Sequence, residues 1–99
     1  MPALERNIQT AIVTAVKARG AWVVNMHGSQ FGRAGVPDLI LCYRGLFVAL
    51  EVKQPGKRPK PLQRHEISMI RRAGGTAEIV TSKTEAIAVL DLIDERMAA

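Results

Sequence analysis

The sequence predicts an α/β fold, a mixed β-sheet flanked by helices in the order α-β-β-β-α-β-α, and three features carry that prediction. Two apolar runs, Leu39 to Tyr43 and Leu46 to Leu50, are separated only by Arg44-Gly45, which makes a hairpin. Apolar residues at helical spacing mark both ends of the chain and the stretch after Pro61. Short β-rich segments, Ala21 to His27 and Thr76 to Thr81, stand between these helical patterns and the hairpin.

Taken in order, Leu4, Ile8, Ala11, Ile12, Ala15 and Val16 give the first helix one apolar stripe, and Gly20 stands where a helix C-terminus favours positive φ. Glu5 and Gln9 share a face beside that stripe, and Glu5 in a first turn also suits the helix dipole. In the following strand Trp22, Val24 and Met26 alternate with Ala21, Val23 and Asn25, so one set faces the core. His27 at the strand end is either a site residue or an ordinary hydrogen-bonded histidine. A glycine-rich loop, residues 28–35, leads to Asp38 and offers Ser29, Gln30 and Arg33 as phosphate contacts. It lacks the Gly-Lys-Ser/Thr ending of a phosphate-binding P-loop, so no nucleotide cofactor is expected.

The two-residue turn sets the hairpin register: Tyr43 pairs with Leu46, Cys42 with Phe47, Ile40 with Ala49, and Asp38 with Glu51. Two carboxylates therefore oppose each other at a separation of about 4.5–5.5 Å between Cβ atoms, where like charges destabilise a sheet unless something compensates. The period of two puts Phe47, Ala49, Glu51 and Lys53 on the face that carries Asp38, so an amine joins the acids. The trio is either a solvated ion-pair cluster or a site for Mg²⁺, which is usually held by one or two carboxylates and otherwise by water and phosphate oxygens. Lys53 would lie where the attacking water sits.

After the hairpin, residues 54–61 contain three prolines, a glycine and the cations Lys57, Arg58 and Lys60, which suits a basic loop beside the acids. Pro61 opens a helix running to Ala73 and closed by Gly74-Gly75. Leu62, Glu66, Met69 and Ala73 mark one side of it and Gln63, Ile67 and Ile70 another, which predicts broad burial; Gln63 would lie near the charged end of the hairpin. His65 has no assigned role. Ser82 and Glu85 read as a capping box for the last helix, with Ile87, Leu90, Ile93 and Met97 as its stripe.

Ninety-nine residues with 47% apolar content make one domain over residues 1–99. The net charge of +5 is uneven: Arg33 to Arg72 holds nine Lys/Arg against three acids, and the balance reverses from Glu85 to Arg96. A basic centre around an acid pair suits a polyanion drawn to a cation site, so Arg64 joins the loop cations as a candidate nucleic-acid contact. No run is long enough to span a membrane, and the N-terminal residues do not read as a secretory signal, so the expected location is cytoplasmic. Cys42, the only cysteine, reads as a small core residue.

Pro37-Asp38, twelve intervening residues and Glu51-Val52-Lys53 match the PD-(D/E)XK nuclease motif. With Gly35 to Leu39, Pro61-Leu62-Gln63, Arg72-Ala73-Gly74-Gly75 and Glu5 added, nearly the whole chain resembles the VRR-NUC (virus-type replication-repair nuclease) group. The resemblance implies a restriction-endonuclease-like core that hydrolyses phosphodiester bonds in DNA, leaving a 5′-phosphate and a 3′-hydroxyl. Mg²⁺ or Mn²⁺ would be held by Asp38, Glu51 and the Val52 carbonyl, with Glu5 and Gln63 completing or orienting the site and Lys53 acting on the water or the transition-state charge. Small stand-alone members resemble Holliday-junction resolvases and act as homodimers, which implies a homodimer on branched DNA in a bacterial or phage-infected cell. The alternatives are a flap or single-strand nuclease and a noncatalytic nucleic-acid-binding module.

Overall fold

The computed structural model describes residues 3–26 and 33–99. Its elements are α1 (Ala3–Ala18), β1 (Trp22–Asn25), β2 (Leu39–Tyr43), β3 (Leu46–Val52), α2 (Pro61–Arg72), β4 (Thr76–Val80) and α3 (Lys83–Ala98). The element order is the one the sequence predicts, with ends moved by one or two residues. The four strands form one mixed sheet in the order β1-β2-β3-β4; β1/β2 and β2/β3 are antiparallel and β3/β4 parallel, joined through α2.

The hairpin has the expected register, with Tyr43 opposite Leu46 and Ile40 opposite Ala49. Arg44 and Gly45 have φ of 53° and 82°, the two positive values that let a two-residue turn follow the twist of its strands. Alternation then divides the sheet into two faces. Leu39, Leu41, Tyr43, Val48, Leu50 and Val52 pack with Ile12 and Val16 of α1 and Ala86, Leu90 and Ile93 of α3 in the main core. On the other face Ala49 and Ala77 meet Ile67 of α2, with Ile40 and Ile70 beside them.

Because α2 covers only part of that second face, two expectations fail. Cys42 is exposed, since its row of the sheet, Trp22, Cys42 and Phe47, lies beyond the small α2 cluster. Broad burial of α2 fails as well: Glu66 and Ile67 are buried, while Leu62 and Met69 are exposed on flanks that meet solvent. In α3 the buried stripe is Ala86, Leu90 and Ile93, with Ile87 packed against it and Met97 exposed.

Local hydrogen bonds fix the helix ends. Ser82 Oγ accepts from the Glu85 amide at 3.1 Å, and the Glu85 carboxylate accepts from the amide of Thr81, one residue before the expected box partner, at 2.6 Å. At the end of the sheet away from Glu51, Asp94 accepts from Tyr43 Oη at 2.9 Å, Arg44 at 3.0 Å and Arg19 at 2.6 Å. These bonds hold the Asp94 carboxyl below its ordinary pKa, the Tyr43 hydroxyl contributing most, and they tie α1, the hairpin turn and α3 together.

Candidate active site

Asp38 stands just before β2 and Glu51 near the end of β3, and continuing the ladder past Leu39 opposite Leu50 sets them across from each other. The Asp38 carbonyl accepts from the Met26 amide at 2.7 Å, which extends the β1/β2 ladder to this row. Its side chain accepts from the Val52 amide at 2.9 Å, so the carboxylate is clamped to the neighbouring strand. Lys53 continues the strand into the next ladder bond, its amide donating to Val80 O at 3.0 Å.

Glu51 is 1% exposed although it is an acid. Gln63, in the first turn of α2, donates to its Oε2 at 3.1 Å, and Lys53 Nζ lies 3.6 Å from the same oxygen. Gln63 is itself oriented by the Lys60 amide, which donates to Gln63 Oε1 at 2.7 Å. Glu51 Oε1 is buried with no hydrogen-bond partner. Burial pushes the Glu51 carboxyl up to about 8, the Asp38 charge adds to the rise, and Lys53 opposes it. A buried acid opposed by a second acid, with one oxygen orphaned, is a group poised to accept a cation.

The approach to Asp38 is built by a close packing that no sequence pattern announces. Gly35 has φ of +90°, and a Cβ there would lie 2.7 Å from the Leu62 carbonyl oxygen, so only glycine lets this segment rest on the first turn of α2. Arg33, expected as a phosphate contact, donates to Glu66 Oε1 at 2.8 Å, and Glu66 is 8% exposed. That ion pair fastens the loop end to α2 and lowers the Glu66 pKa, the Arg33 hydrogen bond being the largest cause. Its only signal in the sequence is an unpaired acid inside an otherwise basic helix.

Other expected site residues are less closely gathered. Glu5 is partly exposed in the first turn of α1, and among the described residues no group of three or more acidic, His or Cys side chains converges, so Glu5 does not join Asp38 and Glu51. Gln9, one turn on, is buried with its Nε2 unpartnered. Lys57, Arg58, Lys60 and Arg64 are exposed at the start of α2 and in the loop before it. Ser29, Gln30 and His27 lie outside the described residues.

Opposed carboxylates, a lysine one pleat further on and a first-turn glutamine, all at one end of a hairpin in a helix-flanked mixed sheet, define a nuclease-type domain. The VRR-NUC domain profile matches residues 5–84 of the sequence. The chain therefore belongs to the VRR-NUC family, whose members generally use divalent metals and act on nucleic acid. A solved structure described as a VRR_NUC domain is similar over 91% of this chain and 97% of its own length, with a TM-score of 0.78 and 27% identity. Another, described as a VRR_NUC domain protein, covers 88% of this chain and 84% of its own, with a TM-score of 0.67 and 22% identity, and shares the fold. A search of curated proteins gave no match. Among the described residues no helix is long and apolar enough to cross a membrane.

Proposed function

We propose that this chain, acting as one domain over residues 1–99, is a divalent-metal-dependent DNA endonuclease, and that its metal site is formed by Asp38, Glu51 and the Val52 carbonyl. The observation that carries the reading is the buried Glu51 Oε1 beside a second carboxylate, an oxygen left without a partner until a ligand binds there. The donor set is hard oxygen, which suits Mg²⁺ or Mn²⁺. When bound, such an ion supplies Lewis acidity that polarises the phosphoryl oxygen and acidifies water.

The chain's own residues then have separable roles. Asp38 is held in place by the Val52 amide, and Gln63 holds Glu51, so neither carboxylate has to be ordered when the ion arrives. Lys53, 13% exposed and beside Glu51, orients the attacking water or offsets charge on the phosphorane. Glu5, in the first turn of α1, would help to complete or orient the site. The cations Lys57, Arg58 and Lys60, with Arg64, bind the phosphates that flank the cleaved bond. A noncatalytic binding module is disfavoured, since such a module gains nothing from burying an acid with an unpartnered oxygen.

The substrate we favour is a branched duplex of the Holliday-junction kind, met in DNA repair and cut by a homodimer with one site per protomer. A 99-residue domain offers one carboxylate pair, and a two-fold dimer supplies the second cut. The uncovered row of Trp22, Cys42 and Phe47 on edge strand β1 and its neighbours favours self-association there more than through Leu92 of α3, because two exposed aromatics stand either side of Cys42 in that row while Leu92 is a single exposed side chain between Asp91 and Asp94. Light scattering with matched linear, flap and four-way substrates tests this. A dimer that prefers the four-way substrate is expected, and a monomer that cuts linear duplex equally fast would refute it; preference for flaps or single strands would favour that class of nuclease.

A further inference from the structure

The helices on the two faces of the sheet differ in charge. On α2, Arg64, Arg71 and Arg72 face a single acid, Glu66, which Arg33 already neutralises. On α3, Glu85, Asp91, Asp94 and Glu95 outnumber Lys83 and Arg96. Asp91 and Asp94 are paired with Arg19 and Arg44, so the α3 side is close to neutral and a polyanion is attracted more to the α2 side.

The α2 side also has a shaped path. A groove of about 310 Å³ between α2 and β4 is lined by Arg64, Ile67, Ser68, Arg71, Arg72 and Ile79. Arg64, Ser68 and Arg72 recur every fourth residue and so line one side of the helix, over a length of about 12 Å. The row starts beside Gln63, which donates to Glu51, and ends at the opposite end of α2. Arg71 is already engaged, its Nε donating to Ala77 O at 2.9 Å and its guanidinium pairing with Glu78 at 3.1 Å. It therefore bonds to the backbone of edge strand β4 and offsets the Glu78 carboxylate. Among the described residues no carboxylate lies within ion-pair distance of Arg64 or Arg72, and Ile67 and Ile79 give the groove an apolar floor suited to a sugar face.

We infer that this groove carries the phosphate backbone of one DNA strand away from the carboxylate pair, with Arg64 as the contact near the cleaved bond and Arg72 as the far one. The inference deepens the nuclease reading and rests on it for the identity of the near end. At about 3.4 Å of rise per nucleotide along one strand, a row of about 12 Å spans three to four nucleotides on one side of the cut.

The test uses duplexes with one arm progressively shortened on either side of the cleavage position, with binding measured by fluorescence anisotropy across a salt series. For the wild-type protein affinity should drop when one arm, and only one, falls below about four nucleotides. Arg72→Ala should lose that length dependence, and Arg64→Ala and Arg72→Ala should each lower the slope of log affinity against log salt by about 0.9. Arg96→Ala on α3 should leave the slope unchanged. Thermal melts of each variant confirm folding, since both side chains are exposed. A wild-type slope and wild-type length dependence in Arg72→Ala would overturn the groove. If these binding effects appear and no divalent ion supports cleavage, the nuclease reading fails while the groove stands.

Discussion

The burial of Glu51 makes metal affinity depend on pH. Its carboxyl, ordinarily near 4.5, sits at about 8 because it is buried and faces Asp38. The ion requires the carboxylate, so below pH 8 each ion bound must displace a proton. At pH 6 only about 1% of the metal-free protein carries Glu51 ionised, so affinity should be roughly 100-fold weaker than on the plateau above pH 8, about 3 kcal/mol. The same shift sets the stability of the metal-free protein. An acid whose folded pKa is raised contributes its stabilisation fully below the ordinary 4.5 and loses it as pH climbs to about 8, so stability should fall across that window and recover with excess Mg²⁺. Isothermal titration with Mg²⁺ in buffers of different ionisation enthalpy measures both the affinity and the protons released. We expect close to one proton released per ion at pH 6 and almost none above pH 9. Flat affinity between pH 6 and 9, or no proton release at pH 6, would refute the assignment of Glu51 as a ligand with a raised pKa.

Three further outcomes follow from the same geometry. Lys53→Ala should lower cleavage by about 100-fold or more while keeping Mg²⁺ affinity by calorimetry, because the lysine acts on the reacting groups and does not ligate. Gly35→Ala should destabilise the fold by about 1–3 kcal/mol in denaturant titration, since its φ of +90° and the 2.7 Å approach to the Leu62 carbonyl both oppose a Cβ. Replacing Lys57, Arg58 and Lys60 with alanine should flatten the salt dependence of duplex binding by up to about 0.9 for each phosphate no longer neutralised, and an unchanged slope would make the loop a plain linker.

The hairpin is legible in the sequence because its register depends on one local feature. A two-residue turn at Arg44-Gly45 dictates every pair out to Leu39 and Leu50, and with them the meeting of Asp38 and Glu51. The contact between Gln63 and Glu51 is suggested by sequence position but needs the loop of residues 54–60 to place α2, and no pattern encodes that path. Cys42 escapes the pattern for the same reason: alternation says that a residue faces a helix side of the sheet, not how far along the strand the helix reaches. The Arg33–Glu66 pair is invisible to it because charge pairing between a loop and a helix has no periodicity. Glu5 shares a sequence position with the family pattern, yet among the described residues it forms no cluster with Asp38 and Glu51.

The most direct measurement is a titration of Mg²⁺ and Mn²⁺ against cleavage and binding of one labelled four-way DNA, for the wild-type protein, Asp38→Asn and Glu51→Gln. Wild-type cleavage that requires the ion and stops with a chelator, together with loss of cleavage by both variants at equal or tighter DNA binding, is the expected result. Cleavage by either variant within a few-fold of the wild type, or cleavage that persists in chelator, would contradict the carboxylate site.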